Sequence, residues 1–276
     1  MNYKGFDKNM QCRGFRYEVG KEYETEDAAA CKTGFHACEY PLDVLKYYVP
    51  AESRYAVVEQ SGKISKSGED TKVASTKIKI VAEIGIAGLV KAAVEYTKTR
   101  AKEEPGGNAT GYQGAASATG NQGAASATGD HGAASATGYQ GAASATGYLG
   151  AASATGDHGA ASAAGYQGAA SATGYQGAAS ATGYQGAASA TGYQGAASAT
   201  GYLGAASATG RAGVALAAGA ECKAKGALGC AICVVERGEW DGETYPIINI
   251  KAAIVDGTTI RADTYYTLHN GELVEA

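Results

Sequence analysis

Hydrophobic and polar positions follow three different rules along this chain. From Met1 to about Glu104 the pattern changes every few residues. Arg54 to Gln60 and Thr76 to Ile84 alternate apolar and polar side chains, which predicts half-buried strands. Leu42, Leu45 and Val49 recur at helical spacing after Pro41, which suits a first helical turn, and predict a short helix over Asp43 to Tyr48 that Pro50 ends. Tyr17-Glu18-Val19 and Tyr23 flank Gly20-Lys21 and predict a short hairpin. Lys98 to Pro105 is charged and ends in Pro105-Gly106-Gly107, a boundary signal. From about Leu228 onward the pattern is again that of short strands: Leu228 to Glu236, Pro246 to Val255 and Thr258 to Tyr266. Asp241-Gly242, Asp256-Gly257 and Asn270-Gly271 supply their turns.

Between these regions the pattern is a strict nine-residue period. The unit is Gly-Tyr-Gln-Gly-Ala-Ala-Ser-Ala-Thr, and eleven nearly identical copies run from Gly111 to Thr209. A degenerate copy, Gly210 to Ala218, follows, and Gly107 to Thr110 is a truncated start. Variation falls at the second and third positions: Asn121-Gln122, Asp130-His131, Tyr148-Leu149, Asp157-His158 and Tyr202-Leu203, with Ala164 standing for a threonine. A helix is disfavoured, because two glycines per unit each cost about 1 kcal/mol relative to alanine in a helix interior. Disorder is the rival for a segment so poor in large hydrophobes. The unbroken period, the folded-looking flanks and the apolar Val214 and Leu216 in the last unit argue for a stacked β-solenoid.

The repeat also sets an expected geometry. Glycines at the first and fourth positions bracket a turn and supply positive φ. Ala-Ala-Ser-Ala-Thr is then a strand whose second and fourth residues, such as Ala116 and Ala118, face inward, and whose Ser117 and Thr119 face outward. Val214, Leu216 and Ala218 have the opposite phase, which either reverses the faces or marks a contact with the cap. Two units per coil give a flat roll about 29 Å long. Three give a triangular section, and the three-unit spacing of the Asp-His pairs suits that count; two is favoured by analogy with other nonapeptide rolls. Methyl groups bury little area, so cohesion must come from backbone bonding and side-chain ladders. Tyr112, Tyr139, Tyr148, Tyr166, Tyr175, Tyr184, Tyr193 and Tyr202 are expected to stack at the turns.

Composition narrows the partners. The 276 residues contain 41 glycines, 4 prolines, 19 tyrosines, 3 phenylalanines and one tryptophan. A net charge of −4 argues against non-specific nucleic-acid binding. Met1 to Gly5 lacks a signal-peptide core, and Ile78 to Val94 is broken by Lys79, Glu83 and Lys91, so neither secretion nor membrane insertion is expected. Six cysteines are too few for a disulfide scaffold. The expected organisation is an N-terminal α+β domain (1–105), a solenoid (106–227) and a β-meander cap (228–276), in a mainly β chain.

Candidate chemistry is sparse. Cys12, Cys31, His36 and Cys38 could ligate zinc, but the spacing is uncommon and packed thiols are the plainer reading. Cys230 and Cys233 have redox-like spacing in a strand-like apolar run, where buried thiols are expected. Asp130-His131 and Asp157-His158 could form acid-base couples but lack a nucleophile, and solvated turn residues are expected. No phosphate loop is present, and the repeat lacks the aspartates of calcium-binding rolls.

The first region also carries Cys12-Arg13-Gly14-Phe15, Tyr17 to Lys21, Gly34 to Glu39 and Pro41 to Val44. With the repeats and with Ala224 to Cys230 followed by a tryptophan, this ordered set resembles an uncharacterised domain family of phages and prophages. The resemblance implies a phage or prophage origin and no known activity. The repeat is similar to the heads of trimeric autotransporter adhesins, which implies a trimer, although the unit length departs from theirs. Arg13, Gly34 to Glu39 and Glu83 resemble the order Arg, strand, Glu of ADP-ribosyltransferases, without their Ser-Thr-Ser.

The sequence therefore reads as a non-enzymatic structural or interaction protein, with no catalytic residue, metal or cofactor assigned. The tyrosines named above, with Ser117 and Thr119, are its binding ladders. Its partner is another protein or a second copy of itself, in a bacterial host cytoplasm or a virion. The alternatives are a nucleotide-handling or ADP-ribosyltransferase-like enzyme in the first region, and an ice-binding protein using the Ser/Thr face.

Overall fold

The computed structural model describes residues 1–50, 52–66, 71–99 and 107–276. The chain divides into two compact units, Met1–Ala93 and Val94–Ala276. The Pro105-Gly106 boundary signal lies outside the described residues. No helix among the described residues is long and apolar enough to cross a membrane.

In the first unit the alternating segments form β6 (Ser53–Lys66) and β7 (Lys72–Ile84), an antiparallel pair longer than their sequence pattern suggests. The other strands are β1 (Asn2–Asp7), β2 (Gln11–Cys12), β3 (Phe15–Arg16), β4 (Glu22–Glu24) and β5 (Phe35–Cys38). β5 pairs with β1 and β7, β1 with β6, and β6 with β7, so the sheet closes on itself. Phe6, Tyr17, Phe35, Val58, Ile78 and Ile80 fill its inside. Pro41–Lys46 is a short 3-10 helix with Leu42 and Leu45 fully buried, close to the expected helix. The helix α1 (Ile86–Lys98) is not legible as a helix in the sequence, where its apolar run merges with the end of β7; Leu89, Val90, Ala93, Val94 and Thr97 form its buried stripe.

The expected hairpin at Gly20-Lys21 is absent. Gly20 donates its N–H to Ile80, and Lys21 accepts from Ile80, so this segment pairs with β7 instead. The hairpin lies earlier, between β2 and β3, where Arg13 and Gly14 both hold positive φ (53° and 78°) as a two-residue turn demands.

The second unit is a β-solenoid of about seven turns over residues 108–234. Strands pair in parallel with the strand two repeat units on: Ala133 with Ala151, Ala142 with Ala160. Two units therefore make one coil, and alternate units build two sheets. Sheet I starts at Asn108–Thr110 and takes Ala124–Thr128, Ala142–Thr146 and every second strand to Val214–Ala217; sheet II takes Ala115–Thr119, Ala133–Thr137 and the rest to Lys223–Gly226. The three-unit spacing of the Asp-His pairs is one and a half coils, so the two pairs lie on opposite edges.

The second and fourth residues of each strand face inward, as expected, and form one alanine core from Ala109 to Ala217. Val214 keeps the phase of Ala196 and is 46 % exposed, while Ala215 and Ala217 are buried. The face assignment thus stands, and Val214 and Leu216 point outward on sheet I rather than into the cap. A buried methyl contributes only about 0.8 kcal/mol, so bonding between coils must carry much of the stability. It is continuous: Gly129 donates to Thr146, His131 to Tyr112, and Ala133 to Gly114.

In the turns of the first coils the fourth-position glycine donates to the first, as Gly132 does to Gly129 at 3.0 Å. Only the first glycine takes positive φ. Gly165 has φ +150°, and a Cβ there would sit 1.6 Å from the Gly147 carbonyl oxygen. The fourth glycine is needed for a different reason: a Cβ on Gly168 would meet the Ala163 oxygen at 3.0 Å. The expectation of positive φ at both positions is corrected accordingly.

Each sheet ends in an antiparallel hairpin. Ala231–Arg237 with Ile247–Ile254 extends sheet I, and Tyr266–His269 with Glu272–Glu275 extends sheet II. The strand expected at Thr258 to Tyr266 begins only at Tyr266, because the Asp256 carboxylate accepts the N–H groups of Thr258 and Ile260 and curls the chain. Asn270-Gly271 makes the expected tight turn, with φ +50° and +77°. Glu236 of the first hairpin accepts the N–H groups of Asn270 and Gly271 and so ties the hairpins together. Ile232, Val234, Val255, Tyr266 and Leu268 replace alanine in the core and close its end.

Gly120 shares the repeat position of Gly165, with φ +124°, but nothing lies within 4 Å of its would-be Cβ. Gly120→Ala should therefore cost only the strain of a left-handed alanine, on the order of 1–2 kcal/mol. Gly165→Ala should cost clearly more, because coils must separate. Comparison of the two unfolding curves checks this; equal losses would contradict coil contact at that glycine.

Candidate functional site

In the first unit a cavity of about 550 Å³ opens beside β1 and β5. Its floor holds Lys4, which shares the inward face of β1 with Phe6 and is only 3 % exposed. The Lys4 ammonium donates to the His36 carbonyl at 2.9 Å and approaches the Cys12 Sγ at 3.5 Å. It lies 5.5 Å and 5.2 Å from the ring centroids of Phe6 and Tyr17, within cation–π reach. Among the described residues no carboxylate is its partner. Burial pulls its pKa below the ordinary lysine value, and the Arg13 charge lowers it further.

Aromatic rings form the walls. Phe15 packs edge-on against Tyr17 and Tyr23 at 4.9 Å and 5.3 Å and is itself 45 % exposed. Tyr48 packs on Gly5, where a Cβ would come within 2.4 Å of the ring. Burial pushes the Tyr17 and Tyr48 hydroxyls upward. Lys72 sits over the Tyr47 ring at 4.1 Å. Arg13, at the tip of the β2–β3 turn, completes the rim.

The residues weighed for zinc are near one another but otherwise engaged. His36 Nδ1 faces the Gly34 carbonyl at 3.1 Å, and Nε2 accepts the Cys31 N–H at 3.0 Å. The ring thus fastens the Cys31 loop, where φ is +64°. Burial lowers the His36 pKa, and Lys4, Arg13 and Lys72 lower it further, which favours the neutral ring. Among the described residues no three His, Cys, Asp or Glu side chains converge as a metal site. Glu83 does not line the cavity with Arg13; it makes a two-pronged pair with Arg54, at 2.8 and 2.6 Å.

The solenoid carries ladders along both edges. Tyr148, Tyr166, Tyr184 and Tyr202 stack on one edge, with ring centroids 5.1, 4.8 and 5.2 Å apart. Tyr175 and Tyr193 stack on the other at 5.0 Å. Tyr112 and Tyr139 meet His131 and His158 instead, each at 5.1 Å. Aspartate there replaces the tyrosine of the next coil, and the neighbouring histidine covers the ring below. Tyr202 donates to Glu221 at 2.7 Å, which raises its pKa to about 12. The longer ladder continues into Tyr245 and Trp240, an extension that sequence periodicity had no means to reveal. Gln167 donates to Gln185 and Gln176 to Gln194, adding amide ladders beside the rings.

Ser117 and Thr119 are exposed, but farther along sheet II Ser171, Ser189 and Ser207 are buried. The open ladders belong to sheet I. Its outer face carries rows of Ala124, Ala142, Ala160 and Ala178 beside Ser126, Ser144 and Ser162, bordering an apolar trough of about 680 Å³ that runs to Val214 and Leu216. The face then crosses Cys233 to Ile250, Ala252 and Ile254 on the last strand of the sheet. Cys230 is buried and donates to the Gly210 carbonyl, whereas Cys233 points the other way, so the two thiols of the Cys-x-x-Cys spacing do not meet.

Residues 1–92 match a family described as a domain of unknown function, DUF7666. The match ends within one residue of the first compact unit. No curated protein and no solved structure matches the chain.

The depressed pKa of Lys4 has a consequence for stability. Between its lowered folded value and the ordinary 10.5 the unfolded chain holds more protons, so stability rises with pH across that window. Unfolding free energies measured from pH 7 to 10 should rise for the wild type relative to Lys4→Met. Parallel pH profiles would contradict a buried, uncompensated ammonium.

Proposed function

We propose that the protein is a non-enzymatic interaction protein whose solenoid is a rigid spacer and whose copies join through the exposed end of sheet I. The observation that carries this reading is the edge strand Ile247–Ile254. Among the described residues it has one neighbour in the sheet, and Ile247, Ile248, Ile250 and Ile254 are each more than half exposed. An apolar edge whose one charged residue, Lys251, is held by Glu272 is a template for pairing with another strand. The corresponding edge of sheet II, Glu272–Glu275, carries acidic residues at both ends, a common defence against such pairing.

The strand suits a second copy of itself. Antiparallel pairing about a two-fold axis must match residues of the same face. A register centred on Lys251 would set two lysines opposite each other. A register centred on Ala252 sets Ile250 against Ile254 and Lys251 against Ala253. Val214, Leu216 and the alanine rows beyond extend the same apolar face, and the tyrosine ladders are the further surface offered to a protein partner. The ordered motifs of the first region support a phage or prophage origin, and with it a place in the bacterial host or the virion.

Light scattering behind size exclusion tests the association. The wild type should elute as an assembly of two or more 27.7 kDa chains. Ile250→Lys with Ile254→Lys, which guards the edge, should elute as a monomer with unchanged circular dichroism. A monomeric wild type, or an assembly unaffected by both lysines, would sink the reading.

A further inference from the structure

The cavity of the first unit has a chemical character that self-association leaves unexplained. Its one deeply buried ammonium, Lys4, has a carbonyl, a thiol and two ring faces around it but no anion. A buried charge left without a counter-charge is costly, and such a group is kept where something compensates it. A second cation stands at the same opening. Arg13 is fixed at the tip of a two-residue turn by positive φ and makes no hydrogen bond or ion pair among the described residues. Among the described residues of the lining the one carboxylate, Glu24, pairs with Lys77 at 3.1 Å. Lys4 and Arg13 therefore place two positive charges at this opening in a chain that is acidic overall.

The remaining wall is flat and apolar. Phe15, Tyr17, Tyr47 and Tyr48 present ring surface around Lys4 and Arg13. A volume of about 550 Å³ falls in the range of small-molecule sites. A single carboxylate would answer one cation. A phosphate, with up to two charges and three acceptor oxygens, answers the set, and guanidinium and ammonium groups both favour it. Rings at the rim favour a planar group attached to that phosphate.

We propose that this cavity binds a small organic phosphate bearing a flat ring, with Lys4 and Arg13 on the phosphate and Phe15 and Tyr47 against the ring; a nucleoside monophosphate is the representative of that class. The site requires no catalytic step and does not depend on the edge-strand pairing.

The test is calorimetric titration of the full chain with AMP, adenosine and inorganic phosphate separately. AMP should bind, and phosphate and adenosine should each bind at least tenfold more weakly. Arg13→Gln, at an exposed turn, should leave the melting temperature unchanged and weaken AMP at least tenfold. Lys4→Met, which removes a buried charge and keeps the side-chain length, should fold and do the same. Absence of AMP binding at millimolar concentration would overturn the proposal, as would AMP affinity equal in wild type and both variants. Phosphate binding as tightly as AMP would overturn the role of the rings.

Discussion

The second unit depends on how closely one coil can lie on the next at the first glycine of each repeat. There the backbone turns with positive φ, and the carbonyl of the matching glycine in the preceding coil occupies the space a side chain would need. Gly183, for example, would place a Cβ 1.6 Å from the Gly165 oxygen. Close approach is what brings Gly183 N–H to the Thr200 carbonyl and Gln185 N–H to Tyr166. The alanine core follows from the same constraint, since two sheets joined by such tight turns leave room for methyl groups and little else.

Because the core is thin, other contacts repeat with the coil. The tyrosine ladder repeats one ring contact from coil to coil on its edge, with the Gln167–Gln185 pair and the buried Leu149 beside it. At the end of the rod the requirement changes. Ile232, Val234, Val255 and Leu268 close the core, and Glu236 binds the two terminal hairpins together. Closing the core in this way leaves the outer strand, Ile247–Ile254, with apolar side chains in solvent. The exposed apolar edge is thus a by-product of how the solenoid stops.

Legibility in the sequence follows periodicity. The strands, the inward alanines and the tyrosine stacking can be read because each recurs in unit after unit with one chemistry. The coil number rests on analogy, and the Asp-His spacing points the wrong way, because three units span one and a half coils and not a whole one. In the first unit, by contrast, single residues decide. Arg13-Gly14 makes the hairpin expected of Gly20-Lys21, since Gly20 is claimed by Ile80 of β7. Lys4 gives no signal at all: one lysine in Asn-Tyr-Lys-Gly-Phe looks solvated until the closed sheet turns it inward. The apolar edge of the last strand is likewise hidden, because a run such as Ile-Ile-Asn-Ile reads as core unless its neighbours are known.

Hydrogen exchange of the intact chain, resolved by residue, probes the stacked register most directly. If each unit bonds to the second unit after it, the strand amides that bond from coil to coil, from Ala133 to Ala217, should exchange slowly and nearly uniformly, with the first coil, before Gly129, faster. Exchange of this segment at the rates of an unstructured peptide, beside protected terminal regions, would contradict the account.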